Sequence, residues 1–265
     1  MTTAILDFGT NTFNLLIAER KARGFTILLS SKQPVKLGRG GIQVNRITPD
    51  AIERGFVAIH NHMETIRNYE VDDIRAFATS AIRNAANGEE FIEEVYRRFG
   101  FRTRIIPGDR EAELIYKGVR QAVSFGEHND MILDIGGGSI EFIICNMHGI
   151  VWKQSFELGM ARLLERYSLS DPITSEEIRA LEDYFRQELA PLTEVVKKER
   201  PLALIGASGS FDTFHAMIMR RKGQEADNHF GREISLKDYY KLHKALIRST
   251  KEERLAMPGM EPVRV

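Results

Sequence analysis

A 13-residue pattern occurs twice in this chain and constrains its fold more than any other feature. Residues 5–17 read ILDFGTNTFNLLI and residues 132–144 read ILDIGGGSIEFII, and the two stretches align without a gap at an offset of 127 residues. Each copy carries an acid, a glycine and a hydroxyl at the same spacing: Asp7 and Asp134, Gly9 and Gly136, Thr12 and Ser139. An internal repeat with the period of a small domain indicates two related lobes rather than a solenoid.

The elements that follow each copy occur in the same order. Alternating apolar residues between turn residues predict strands at 3–7, 12–19, 24–31, 74–79, 102–106, 131–136, 139–146, 149–156 and 202–206. Apolar residues three and four apart predict a long helix starting at Pro49, and helices at 88–99, 110–122, 158–167, 175–192, 209–220, 235–248 and 251–256. This order indicates an α/β fold with two lobes, at 1–124 and 125–265, whose mixed sheets are flanked by helices.

Composition sets the broad class of protein. The 265 residues are 43% hydrophobic and 28% charged, as is usual for a globular protein, and 37 basic residues balance 37 acidic ones. With no net charge to attract a polyanion, nucleic acid is not an expected partner and any phosphate site must be locally basic. The single cysteine, Cys145, excludes an internal disulfide and is predicted to be a packed thiol. No signal peptide or long apolar run is present, which predicts a cytoplasmic location and no membrane partner.

Glycine- and hydroxyl-rich turns follow several strands. Clustered backbone N–H groups in such turns bind anions, and glycine lets a phosphate approach them closely. The predicted phosphate-binding residues are Gly9, Thr10, Asn11, Gly136, Gly137, Gly138, Ser139, Gly206, Ser208 and Gly209. An acid before such a turn repels phosphate unless it holds a divalent cation, and Mg²⁺ usually takes one or two carboxylates plus waters and substrate oxygens. A single Asp–x–Gly turn is usually only a turn, but two matched copies favour a metal–phosphate ligand.

Six segments in order resemble one known family. They read DFGTNTFNLLI, ATSAIRNAANGEEF, IIPGDREAELIYKGV, LDIGGGSIEFII, FELGMARL and IGASGSF, and span residue 3 to about 215. This series resembles the exopolyphosphatase/guanosine pentaphosphate phosphatase (Ppx/GppA) family of the actin–Hsp70–sugar kinase superfamily. The resemblance implies two ribonuclease-H-like (actin-like ATPase) lobes with an interlobe active-site cleft, and hydrolysis of a terminal phosphoanhydride.

The resemblance also assigns roles to residues. It implies that Glu111 orients and deprotonates the attacking water, although acids are common in first helical turns. Asp109 is a plausible N-cap, which places Glu111 in the first turn, where the helix dipole favours an ionised carboxylate. Asp7, Asp134 and Glu141 are the predicted ligands of Mg²⁺ or Mn²⁺, and Asp134 and Glu141 are also predicted to be catalytic. Arg83 is predicted to hold phosphate, with a solvated arginine as the alternative.

Several alternatives remain for the substrate and the assembly. Inorganic polyphosphate is the predicted substrate, with guanosine pentaphosphate or tetraphosphate as the rival within the family. A nucleotide-binding ATPase or sugar kinase would use the GASGS turn for adenosine, and a sensor would bind polyanions without turnover. A homodimer is a candidate assembly. The last residues, PGMEPVRV, lead us to expect that the native chain continues past Val265.

Overall fold

The computed structural model describes residues 1–225 and 231–265 and contains two separate β-sheets. The strands are β1 (Thr2–Phe8), β2 (Thr12–Arg20), β3 (Phe25–Pro34), β4 (Asp73–Ala78), β5 (Thr103–Ile105), β6 (Asp130–Ile135), β7 (Ile140–Asn146), β8 (Gly149–Phe156) and β9 (Leu204–Gly206). The helices are α1 (Pro49–Arg67), α2 (Ser80–Arg83), α3 (Gly88–Phe99), α4 (Gly108–Val119), α5 (Met160–Arg166), α6 (Ser175–Glu188), α7 (Ala190–Glu199), α8 (Gly209–Arg221), α9 (Leu236–Arg248) and α10 (Lys251–Ala256). Within these described ranges, no helix is long and apolar enough to cross a lipid bilayer.

Both sheets are mixed. The first has the order β3-β2-β1-β4-β5, in which β1, β2 and β3 are antiparallel and β4 and β5 run parallel to β1. The second has the order β8-β7-β6-β9, with β9 parallel to β6. The predicted fold class, α/β with two mixed sheets flanked by helices, is confirmed.

The chain forms two compact units, each made of three stretches. Unit 1 contains Met1–Glu111, Gly136–Ile140 and Ser155–Tyr167, and unit 2 contains Ala112–Ile135, Glu141–Gln154 and Ser168–Val265. The repeat in the sequence is therefore divided between the units, because the turn residues of the second copy belong to unit 1 and its strands to unit 2.

The core of unit 1 lies on one face of its sheet. Alternate residues of β1 and β2, such as Leu6 and Leu15, are at most 1% exposed and belong to one apolar cluster with Ile59 of α1 and Val95 of α3. Helix α1 begins at Pro49, as predicted, where the missing N–H of proline costs nothing. Apolar side chains therefore cover this face of the first sheet. Polar residues lie near the ends of β1 and β4 instead.

The core of unit 2 contains the cysteine. Cys145 on β7 is fully buried with Ile132 and Ile143, beside Ala112 and Tyr116 of α4. Burial and the negative charge of Asp130 raise the pKa of the Cys145 thiol to about 12. The prediction of a packed thiol is confirmed.

One long predicted helix is wrong. The predicted helix at 175–192 is two helices, since α6 ends at Glu188 and α7 begins at Ala190. Pro191 explains the break, because proline has no N–H and its ring clashes with the carbonyl four residues earlier in a helix interior, whereas the first turn of α7 tolerates it. The capping box of α6 between Thr174 and Glu177 is present.

Candidate active site

The two copies of the repeated pattern fold into the same turn within unit 1. In the first turn (residues 9–12), the Gly9 N–H donates to the Thr12 carbonyl at 3.0 Å. In the second turn (residues 136–139), the Gly136 N–H donates to the Ser139 carbonyl, also at 3.0 Å. The matched spacing in the sequence therefore corresponds to matched backbone geometry.

The carbonyl groups of both turns are held by backbone N–H groups of other segments. The Asn11 carbonyl of the first turn accepts from the N–H groups of Val35 and Lys36 at 2.8 and 2.9 Å. In the second turn, the N–H groups of Met160 and Ala161 at the start of α5 donate to the Gly136 and Gly137 carbonyls at 3.0 and 2.7 Å. The carbonyl oxygens, which carry the negative partial charge of these turns, are thus already hydrogen-bonded within the protein.

The N–H groups of the same turns have no such partners. Within residues 1–225 and 231–265, no hydrogen bond is donated by the N–H groups of four turn residues: Thr10, Asn11, Gly137 and Gly138. Backbone N–H groups gathered in tight turns form concave sites that bind anions. Unit 1 therefore carries two sets of unused donors.

The two turns are neighbours inside unit 1. A Cβ atom placed on Gly137 would lie 2.8 Å from the side-chain amide of Asn11, and one placed on Gly138 would lie 2.4 Å from Thr10 Oγ1 and 2.5 Å from Ser80 Oγ. Only the absence of side chains at Gly137 and Gly138 permits this approach. As a result, the backbone donors lie beside two hydroxyls and an amide, all suited to an anion.

Asp7 is the second-to-last residue of β1, the strand that leads into the first turn. It lies opposite Asn14 in the β1–β2 register, and Asn14 Nδ2 donates to Asp7 Oδ2 at 2.9 Å. Burial of its carboxylate raises the pKa of Asp7, and the Asn14 hydrogen bond offsets this only in part. The protein therefore compensates the charge of the Asp7 carboxylate only in part.

Glu111 and Arg83 form an ion pair in unit 1. Arg83 Nη1 lies 2.8 Å from Glu111 Oε2, and Arg83 Nη2 lies 3.1 Å from Glu157 Oε1. The Arg83 side chain is only 14% exposed. Burial alone would lower the pKa of Arg83, but hydrogen bonds and charges from Glu111 and Glu157 outweigh burial and raise it. The alternative of a solvated arginine is therefore wrong, because the guanidinium is enclosed between two carboxylates.

The N-cap of α4 lies two residues earlier than predicted, at Pro107 rather than Asp109. The N–H groups of Arg110 and Glu111 both donate to the Pro107 carbonyl, at 2.9 and 3.0 Å. Pro107 therefore takes the cap position, and Asp109 lies inside the helix rather than at its N-cap. Glu111 remains in the first turn, as predicted, and its carboxylate is oriented by Arg83 rather than by the helix end alone.

Glu157 and Arg162 were not among the predicted site residues. Ser80 Oγ donates to Glu157 Oε2 at 2.7 Å, and Arg162 Nη2 lies 2.9 Å from the same oxygen. Burial would raise the pKa of Glu157, but hydrogen bonds from Ser80, Asn84 and Arg83 and the charge of Arg162 together lower it. Both residues lie in FELGMARL, one of the segments that carry the family resemblance. The sequence therefore marked this segment as part of the resemblance but assigned no role to Glu157 or Arg162.

The other predicted site residues belong to unit 2. Asp134 is near the end of β6 and partly exposed, and Glu141 on β7 is 1% exposed. Gly206 ends β9, Ser208 is the N-cap of α8 and Gly209 begins that helix. The Ile135 N–H donates to Ser208 Oγ at 3.3 Å, which links the GASGS turn to the end of β6. Unit 1 thus contains Gly9, Thr10, Asn11, Arg83, Glu111 and the second turn. Unit 2 contains the five residues named in this paragraph: Asp134, Glu141, Gly206, Ser208 and Gly209.

The contact between the second turn and α5 gives a direct test of this geometry. We expect Gly159→Ala to lower the free energy of unfolding by about 1–3 kcal/mol, because the new Cβ would lie 2.3 Å from the Gly138 carbonyl carbon, where only backbone movement relieves the clash. Gly118→Ala in α4 is the control, since its Cβ meets nothing within 4 Å and a helical alanine gains roughly 0.5–1 kcal/mol over glycine. Urea unfolding measures both variants, and equal stability of the two would contradict the close approach.

Together, the fold and the turns define an α/β enzyme class that handles phosphoryl groups. The sequence model of the Ppx/GppA phosphatase family matches residues 16–265, and the chain belongs to this family of phosphatases. Among solved structures, it is similar to an exopolyphosphatase from Cytophaga hutchinsonii, with 37% identity and a TM-score of 0.95 over 100% of this chain and 85% of the other. It is also similar to the Ppx/GppA family member of Aquifex aeolicus, with 25% identity, a TM-score of 0.79, and coverage of 100% and 85% of the two chains.

Proposed function

We propose that this phosphatase is an exopolyphosphatase that removes the terminal phosphate of inorganic polyphosphate. The observation that carries the proposal is the pair of matched turns, whose unused N–H groups lie in the same unit as the Arg83–Glu111 ion pair. The similarity to the Cytophaga hutchinsonii exopolyphosphatase supports the choice of substrate.

The residues of unit 1 suit an in-line attack of water on the terminal phosphorus. Glu111 accepts a proton from the water as the new P–O bond forms, and the anhydride P–O bond breaks with its electrons on the leaving phosphate. Arg83 holds the Glu111 carboxylate in one orientation, at 2.8 Å. The turn N–H groups stabilise charge on the phosphoryl oxygens, and positioned donors of this kind supply much of the catalysis in phosphoryl transfer.

A divalent cation, Mg²⁺ or Mn²⁺, is part of the proposal. In the described part of the chain, no three His, Cys, Asp or Glu side chains are grouped closely enough to hold a metal by themselves. That fits Mg²⁺, which commonly takes one or two carboxylates and completes its shell with water and substrate phosphates. The poorly compensated Asp7 carboxylate is a suitable ligand, and the cation would neutralise charge on the bound phosphates. The metal role predicted for Asp134 and Glu141, which belong to unit 2, stays a prediction, and this proposal rests on Asp7.

An assay of phosphate release separates the substrates. We expect release from polyphosphate to exceed release from pppGpp and ATP, and to be lost with EDTA and restored by Mg²⁺, because the cation is needed to neutralise the polyanion. Faster release from pppGpp would favour the guanosine pentaphosphate phosphatase alternative, and release mainly from ATP would favour the ATPase or kinase reading. Binding of polyphosphate without release would indicate a sensor.

The remaining expectations concern the setting of the enzyme. We propose that it acts in the cytoplasm on a phosphate polymer or nucleotide, without nucleic acid or membrane partners, and that a homodimer is its candidate assembly. Light scattering during size-exclusion chromatography measures the assembly, for which a monomer has a mass of 30.2 kDa.

A further inference from the structure

One carboxylate in unit 1, that of Glu157, is held by donors from three different side chains. Glu157 accepts from Ser80 Oγ at 2.7 Å, from Arg83 Nη2 at 3.1 Å, and from Arg162 Nη2 at 2.9 Å and Nε at 3.2 Å. Two guanidinium groups and a hydroxyl converging on one anion are the donor set that proteins use for phosphoryl groups. The donors come from α2 and α5, two elements far apart in the chain.

The same donors border the second turn. Arg162 Nε also donates to the Gly138 carbonyl at 2.9 Å, and Ser80 Oγ would lie 2.5 Å from a Cβ placed on Gly138. The Glu157 carboxylate is therefore held beside the turn whose N–H groups at Gly137 and Gly138 are unused. An anion at Ser80 and Arg162 would lie within reach of those donors.

Exposure shows which member of the group can leave. The side chains of Arg83 and Arg162 are each 14% exposed and that of Glu111 is 18% exposed, whereas that of Glu157 is 41% exposed. Arg83 is also tied to the Ile106 carbonyl at 3.2 Å, and Arg162 to the Ile42 carbonyl at 3.2 Å. The two arginines are thus also held by backbone carbonyls, and Glu157 is the most exposed of the four charged side chains.

The charges of this group explain why Glu157 would leave when a phosphate binds. Two arginines and two glutamates, Glu111 and Glu157, balance in the ligand-free protein. A phosphate that enters this group adds negative charge, and Glu111 is held by the role proposed for it. Departure of Glu157 into solvent restores the balance and frees donors on three side chains at once.

We propose that Glu157 is a positioning residue that occupies a phosphate subsite formed by Ser80, Arg83 and Arg162, and that a phosphoryl group of the ligand replaces its carboxylate. The built-in anion keeps the two arginines in place between turnovers. It also competes with the inorganic phosphate product, which two guanidinium groups would otherwise retain. The assignment of the ligand as substrate or product rests on the proposed function, but the competition with phosphate does not.

The test is the affinity of inorganic phosphate for the full-length protein, measured by calorimetry without any turnover. We expect Glu157→Gln to bind phosphate about tenfold more tightly than the wild type, because hydrogen bonds to a neutral amide are weaker than those to a carboxylate and are displaced more easily. Glu93→Gln on α3 is the matched control, because Glu93 is an exposed acid of the same unit and the substitution removes the same charge. Equal or weaker phosphate binding by Glu157→Gln would overturn the proposal, as would equal tightening in the control.

A second variant separates charge from packing. Glu157→Asp keeps the charge, and its phosphate affinity should stay within about threefold of the wild type. Tightening as large as that of Glu157→Gln would overturn the exchange. In turnover assays, Glu157→Gln should lower the KM and the inhibition constant of product phosphate together, whereas a purely structural role would change the melting temperature and neither constant. A wild-type protein that releases no phosphate from any phosphoanhydride would defeat the proposed function and leave the calorimetric test valid.

Discussion

Glu111→Gln is expected to lower kcat by about 10²–10⁴-fold while polyphosphate binding remains close to that of the wild type. A positioned general base typically contributes this factor, and glutamine can hold a water molecule but cannot accept its proton. The amide oxygen can still accept from Arg83 Nη1, now 2.8 Å from Glu111 Oε2, so the arginine should keep its place. A single-turnover rate measured beside a binding isotherm separates the chemical step from binding.

Glu113 offers a matched control for this substitution. It lies two residues further along α4, outside the predicted site, and pairs with Lys153. Glu113→Gln makes the same chemical change in the same helix, and we expect its kcat to stay within about threefold of the wild type, since a partly exposed ion pair contributes little. A Glu111→Gln enzyme that turns over as fast as this control, with both shown to be folded, would leave the base unassigned.

Asp7→Asn is expected to remove activity and to stabilise the protein. Activity should fall by about 10²–10³-fold, as is usual when one group that stabilises transition-state charge is lost, because the amide cannot compensate a divalent cation. Stability should rise at neutral pH, because burial raises the pKa of Asp7 and the ionised carboxylate is therefore costly in the folded state. The amide oxygen that replaces the carboxylate can still accept from Asn14 Nδ2.

The stability difference between Asp7→Asn and the wild type should depend on pH in a defined direction. Below the ordinary aspartate pKa of 3.8, Asp7 is protonated in both the folded and unfolded states, so it contributes no pH-dependent stability difference there. As the pH rises from 3.8 through the higher folded pKa, the unfolded state loses its proton first and the wild type loses stability. The advantage of Asp7→Asn should thus appear across that window and persist at neutral pH. Thermal unfolding in EDTA from pH 3 to 8 measures it, and a variant less stable than the wild type at pH 7 would contradict the burial cost.

The sequence predicted the parts of the site that local pattern encodes. The acid, glycine and hydroxyl at matched positions indicated two equivalent turns, and both turns close through the same 3.0 Å hydrogen bond. The long helices also followed their apolar spacing, as α1 does from Pro49. These features depend on neighbours within a few residues, which a single sequence displays.

The partners of Arg83 could not be predicted in the same way. Arg83 ends the four-residue helix α2, which is too short for any apolar period, and its two carboxylates come from segments that approach only after folding. A single charged residue such as Glu157 at the end of a strand is usually solvated, so the sequence around it favoured no role. Pairing between distant segments depends on tertiary packing, which a single amino-acid sequence does not reveal.

The division of unit 1 into three stretches bears on how the protein is made. The second turn depends on α5 for its carbonyl partners, and unit 1 is complete only when Tyr167 has been synthesised. At roughly 5–20 residues per second, the ribosome adds the segments after Glu111 over a period on the order of several seconds. During that delay, Thr10 and Ser80, which the folded protein buries against Gly138, are uncovered on the nascent chain. Unit 1 is therefore completed only after α5 has been synthesised, although β1, β2 and β3 of the same unit precede α5 in the chain.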